Sequence, residues 1–136
     1  MVNTKNTFNR PMNLVIILAV CLILTVAFMA LPKGFSDDLS KISQGSVVVV
    51  LTHDKNNAGG MLAMDLLNKL RADYEARVEF LAVDVNTAKA QAFMRGQGVG
   101  AVVLVVFDAA GSRQAVLSAA VSEKQLRSVL DGILSP

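Results

Sequence analysis

Residues 46–74 read SVVVVLTHDKNNAGGMLAMDLLNKLRADY, and they decide the fold. The first part, VVVVL at 47–51, is a short run of β-branched and apolar residues. A strand buried on both faces has this composition. Residues 53–60 are polar and end in Gly59-Gly60, which predicts a loop. Ala63, Leu66, Leu67, Leu70 and Tyr74 then recur at the spacing of one helix face. The order is strand, loop, helix. Many α/β folds place their chemistry in a loop that leaves a central strand in this way. Here the loop has the shape and lacks the reactive atoms.

The elements that follow are legible in the same terms. VEFLAVDV at 78–85 is a second strand. Asn86 and Thr87 are cap candidates for a helix through Ala88, Ala92, Phe93 and Met94, which Gly96 and Gly98 stop. AVVLVVF at 101–107 is a third strand. Residues 108–112 (DAAGS) form a turn, and 114–119 a fourth strand, so the last two strands make a hairpin. Ser122 followed by Gln125 is a capping box. Leu126, Val129, Leu130 and Ile133 give the last helix its apolar face. The expected class is α/β, in the order β-α-β-α-β-β-α. The first two strands are parallel across a helical crossover, the hairpin is antiparallel, and helices lie on both faces of a mixed four-stranded sheet.

Ahead of this domain, residues 14–31 (LVIILAVCLILTVAFMAL) carry no charge. That length, about 18 residues, is at the lower end for a membrane-spanning helix. A cleaved leader requires small residues at its processing site, and Phe28 and Ala30 do not supply that pair. A lipid-modified leader built on Cys21 conflicts with Val20 before it and with the apolar run after it. An uncleaved span is therefore expected. The divisions follow: a cytoplasmic tail at 1–12, a transmembrane helix at 13–32, a juxtamembrane linker with a short helix at 33–45, and the folded domain at 46–136. In the linker, Ser36 with Asp37 and Asp38 reads as a helix start, with Leu39 and Ile42 as its apolar edge and Gly45 as its end. Lys5 and Arg10 precede the span with no acid. This places the N-terminus in the cytoplasm and the domain in the periplasm of a bacterial inner membrane. Ala19, Ala27 and Ala30 share a sector of the helix, where small residues favour close contact with other membrane helices.

Charge and cysteine usage exclude several function classes. The net charge of +2 sits before the span, and from residue 33 onward 11 basic and 11 acidic residues balance. No basic patch with interleaved aromatics points to nucleic acid. Cys21 is the single cysteine, so no intrachain disulfide forms.

From Val50 to Tyr74 the chain resembles the thioredoxin family without a gap: strand, active-site loop, then a long helix ending in Tyr. Val83-Asp84-Val85-Asn86 is similar to the end of the strand that follows in that family. The run from Gly98 to Phe107 (GVGAVVLVVF) is similar to its segment G-(I/V)-x-G-I-P-T-L-L-L-F, one residue shorter. The turn at 108–111 and the last helix also fit. The resemblance covers about residues 36–134 and implies a thioredoxin-like fold. It also implies where the reaction would sit, and there this chain departs. The C-x-x-C positions hold Asn57, Ala58, Gly59 and Gly60. The two tryptophan positions fall on His53 and Asn56, the buried acid on Leu51 and the cis-proline on Val102. Thiol–disulfide exchange requires an attacking thiolate, and no residue of this loop provides one.

Other candidate sites are few. His53 with Asp54 reads as a general base or metal ligand, or as a solvated loop pair. One histidine without companions makes no zinc site. The helix start at 57–60 reads as an anion or carboxylate holder, or as an ordinary Asn cap. Gly96 to Gly100 is glycine-rich but follows a helix, so a dinucleotide reading fails on context. Met61 and Met64 read either as an adaptable contact surface or as core. The expectation is a non-catalytic, membrane-anchored binding or scaffold protein without cofactor or metal, an accessory subunit or assembly factor of a membrane complex. Its partners are the lipid bilayer and other membrane-protein subunits, with no nucleic acid and no evident small-molecule substrate. The interaction site is the vacant loop (His53, Asn56, Asn57, Ala58, Gly59, Gly60) with Val102. The alternatives are a tethered thiol-redox partner and a chaperone-like module that grips extended peptides beside Val102.

Overall fold

The structure is a computed structural model that describes residues 10–30 and 34–136. The chain divides into two compact units, Met1–Gly34 and Phe35–Pro136. In the first, a helix α1 runs Arg10–Ala30. Over Pro11–Met29 it is long and apolar enough to cross a membrane, and all its described side chains are exposed. Ala19 and Ala27 are on this helix; the side chain of Ala30 lies outside the described residues, as do most of the tail expected at 1–12 and the end of the span expected at residue 32.

The second unit begins at Phe35, ahead of the domain start expected at Ser46. The reason is packing. Phe35 packs on the core beside Phe80, with ring centroids 6.4 Å apart, and the Arg71 guanidinium stacks 3.9 Å over its ring. Ser36 is not the helix cap that the sequence suggests. Its backbone makes a bridge to Leu81, with its carbonyl accepting from Ala82 N–H at 3.0 Å. Asp38 caps instead, over a single 3-10 turn at Leu39–Lys41, and its carboxylate accepts from Ser40 N–H. Leu39 and Ile42 still face the apolar interior as expected.

The remaining elements are β1 (Val47–His53), α2 (Ala58–Tyr74), β2 (Val78–Asp84), α3 (Ala88–Gln97), β3 (Val103–Phe107), β4 (Arg113–Ser118) and α4 (Glu123–Leu134). The sheet order is β2-β1-β3-β4, with β1 parallel to β2 and both other pairings antiparallel. The expected order and class hold. β1 is buried from Val47 to Thr52 because it is central, which accounts for its continuous apolar run. Alternate residues feed two cores. Val49, Leu51, Leu104 and Val106 meet Ala63, Leu67 and Leu70 of α2 and Leu126 and Leu130 of α4. Val48, Val50, Val105 and Phe107 meet Ala90 of α3, with Leu39 and Ile42 packed at the margin.

The boundaries differ from expectation where hydrogen bonding overrides composition. β1 extends through His53 because His53 pairs with Asp84. α2 starts at Ala58, so Gly59 and Gly60 lie in its first turn rather than in the loop. Thr87 alone caps α3, with Ala90 N–H donating to its hydroxyl; Gly96 stays helical, and Gly98 ends the helix at φ 64°. β3 starts at Val103, two residues later than its apolar run, because Val102 leaves extended backbone altogether at φ 58°.

Candidate functional site

β1 brings Thr52 and His53 to one end of the sheet, and the chain then turns tightly into α2. Asn57 N–H donates to the Asp54 carbonyl at 3.1 Å, and Asn56 N–H to the Asp54 carboxylate at 2.9 Å. Asn57 is the cap. Its side-chain oxygen accepts from Gly59 N–H at 2.8 Å, and its carbonyl accepts from Gly60 N–H at 3.0 Å and Met61 N–H at 3.4 Å. These donors of the helix start are therefore engaged within the chain. An anion or carboxylate arriving there finds them occupied, and the ordinary Asn-cap reading is the one the geometry matches.

The glycines of this turn permit close approach. A Cβ on buried Gly60 would lie 2.9 Å from the Asp54 carbonyl oxygen and 3.1 Å from His53 Nδ1. A Cβ on Gly59 would lie 3.0 Å from the Asn57 side-chain oxygen and 3.4 Å from Val102 Cγ1. Val102, distant in sequence, thus meets the loop at Gly59. Val102 sits over Gly59, and His53 underlies Gly60.

His53 and Asp54 do not work as a pair. The Asp54 carboxylate is turned to Asn56 N–H, while His53 Nδ1 is buried without a hydrogen-bond partner. Among the described residues no group of three His, Cys, Asp or Glu side chains is placed to hold a metal ion. The charge nearest the loop is also committed. Lys55 pairs with Asp84 at 3.1 Å. The Asp84 carboxyl is held below the usual carboxylate range, first by Asn86 N–H and then by Lys55.

Val102 is tied at both of its backbone polar groups. Its peptide bonds are trans, as among all described residues; a cis bond before a valine costs about 2.5–4 kcal/mol. Its N–H donates to the Thr52 carbonyl at 2.8 Å, and its carbonyl accepts from Ala119 N–H at 3.1 Å. The Thr52 hydroxyl adds two bonds to the same segment, donating to the Gly100 carbonyl at 3.0 Å and accepting from Val103 N–H at 3.1 Å. A left-handed φ is unusual for any residue with a side chain and a genuine outlier for a β-branched one. Its cost is of order 1–3 kcal/mol.

Beside this rigid polar framework lies exposed apolar surface. Met61 is 61 % and Leu62 68 % exposed, on the first turns of α2. Met64, one turn on, packs against the core. Met64 is thus a core residue, and Met61 is exposed. Sequence reasoning missed Leu62, which falls off the buried helix face, and Thr52, a polar residue inside a buried apolar strand. That position was itself a signal, because a buried hydroxyl requires a partner.

No family model matches this sequence, and no curated protein does. Solved structures do. One described as the structure of a malarial protein is 20% identical, with a TM-score of 0.58, covering 66% of this chain and 99% of that one. A mutant thioredoxin from Halobacterium salinarum NRC-1 is 19% identical, with a TM-score of 0.62, covering 74% of this chain and 83% of its own. At these identities the likeness is one of fold: the mixed sheet and helices of this chain make a thioredoxin-like fold.

Proposed function

We propose that this chain is a non-catalytic, membrane-anchored binding protein, an accessory subunit or assembly factor of a larger membrane complex. One observation carries the reading. Where the resembled family keeps its reactive thiols, this chain has Asn57, Ala58, Gly59 and Gly60, with the Gly59 and Gly60 N–H groups used by the Asn57 cap, while Met61 and Leu62 beside them stand exposed. The loop thus offers no reactive thiol, and apolar area lies exposed beside it. Exposed apolar side chains grouped at a structured site favour protein contact. The span α1 supports anchoring by its length and composition. The short basic stretch before it supports a cytoplasmic N-terminus and a periplasmic domain in a bacterial inner membrane.

The test is purification of the full chain in mild detergent, with and without the paired substitutions Met61→Asp and Leu62→Asp. A stoichiometric membrane partner, lost in the variant while the domain stays folded, supports the proposal. A scatter of unfolded clients favours the chaperone-like module. Thiol-dependent disulfide turnover by the pure chain would overturn it in favour of a redox partner.

A further inference from the structure

Among the described residues Thr52 is the one polar side chain wholly buried. Its hydroxyl and its carbonyl hold a single segment, residues 100–103, through Gly100, Val102 and Val103. That same segment carries a β-branched residue at φ 58°, whose side chain lies against Gly59 at the start of α2. Hydrogen bonds pull one way and backbone strain pulls the other. Strain of this kind persists only where the surroundings over-determine it, and it concentrates at ligand clamps and switch regions.

We propose that residues 100–103 form a latch with two settings, and that Thr52 is the positioning residue that closes it. In the closed setting, described above, Val102 is left-handed and covers Gly59. In the open setting Val102 returns to extended backbone, its N–H leaves the Thr52 carbonyl, and its side chain leaves the helix start. The opposing contributions are of the same order, because a few internal hydrogen bonds gain little net over hydration. An element balanced in this way responds to any partner that binds one setting better. The open setting uncovers the backbone of Gly59 next to Met61 and Leu62. The latch therefore sets the shape of the proposed binding surface. Its use rests on that binding reading; its existence does not.

Amide hydrogen exchange, resolved by NMR on the full chain in detergent micelles, tests it. Thr52→Val should lower the protection of both Val102 and Val103 N–H about tenfold or more, while Val49 and Phe80 in the sheet stay unchanged. A hydroxyl acting only through its own bonds would affect Val103 alone, since the Val102 bond goes to the Thr52 backbone. Thr52→Ser, which keeps the hydroxyl, should restore protection at both. Val102→Gly removes the strain of the closed setting and should raise protection roughly threefold, the gain left after glycine's added backbone freedom. Unchanged Val102 protection in Thr52→Val, or lowered protection in Val102→Gly, overturns the latch. If Thr52→Val unfolds the chain, the Val102→Gly result decides. The exchange rates are measured on the chain alone, with no partner present, so failure of the latch and failure of the binding reading are read separately.

Discussion

At the scale of single residues, the two glycines of the α2 start have different reasons to be glycine. Alanine is favoured over glycine in a helix by about 1 kcal/mol, so each position forgoes that gain. At Gly60 the forbidden contact is the Asp54 carbonyl oxygen at 2.9 Å, a backbone atom that cannot step aside without moving the turn. Overpacking of this sort costs about 1–3 kcal/mol, and against a backbone atom it falls in the upper part of that range, about 2–3 kcal/mol, which exceeds the helix gain by about 1–2 kcal/mol. Gly60→Ala is therefore expected to lower the melting temperature of the domain by roughly 5 °C or more. At Gly59 the nearest atom is the Asn57 side-chain oxygen at 3.0 Å, which can rotate at the expense of the cap. A lost cap is worth about 1 kcal/mol, so Gly59→Ala should come out near neutral. Thermal denaturation of the two variants side by side checks both. Equal losses would mean that the close approach at Gly60 is not what sets its identity.

At the scale of elements, α2 and α4 are tied by charge as well as by core. Arg127 donates to Asp73 at 2.7 Å and to Glu123 at 3.0 Å, and Lys69 reaches Glu123 at 3.4 Å. Tyr74 OH donates to Asp131 at 2.7 Å. The Arg127 side chain, first, and Lys69, second, hold the Glu123 carboxyl below the usual glutamate range. A depressed carboxyl contributes stability that is present above its unfolded value, near 4.3, and is lost as pH falls through the folded one. Burial, first, and the Asp131 bond, second, push the Tyr74 phenol up. Its contribution is complete below about pH 10 and is lost as pH rises above. Urea titrations across pH should therefore show Glu123→Gln with a flatter acid limb and Tyr74→Phe with a flatter alkaline limb. An unchanged acid limb in Glu123→Gln would show the surface pair to be fully screened. Apart from Glu123 and Arg127, one helix turn apart, little of this pairing is legible in the sequence, because it joins residues more than fifty positions apart. What was legible was local. The Ser122–Gln125 capping box, the Asn57 cap and the apolar periods of α2 and α4 each rest on neighbours within one turn, and each is found. What failed depended on another element. Ser36 is drawn out of its cap by Leu81, β3 is shortened by the Thr52 bonds to its first residues, and Leu62 lies on a side of α2 that no element of the Phe35–Pro136 unit covers.

At the scale of the whole chain, the extent of the folded unit decides what can be tested in isolation. Composition alone puts the domain start at Ser46, just ahead of the first long apolar strand. The structure adds the segment from Phe35, and that segment does three separate jobs. Phe35 covers the core beside Phe80, Ser36 occupies the outer edge of β2 at Leu81, and Leu39 with Ile42 seals the margin of the second core. The Lys41 ammonium also meets Glu79 at 2.7 Å. Without these residues, part of β2 becomes an open edge, which invites pairing between copies. The buried area involved is worth about 3 kcal/mol, counting three half-buried apolar side chains at roughly 1 kcal/mol each. Small domains are stable by only about 5–15 kcal/mol, so such a loss removes a large share of the total. A chain begun at Phe35 is therefore expected to be soluble and to unfold in one cooperative urea transition. A chain begun at Ser46 is expected to have a lower midpoint and to self-associate in a concentration-dependent manner, as measured by sedimentation. Equal midpoints for the two chains would return the segment to the role of a linker. The edge bridge is separable from the rest, because Leu39→Ala with Ile42→Ala weakens the second core and leaves Ser36 in place. That variant should lose stability without gaining self-association, whereas loss of the Ser36 bridge should promote association beyond what its small stability cost explains.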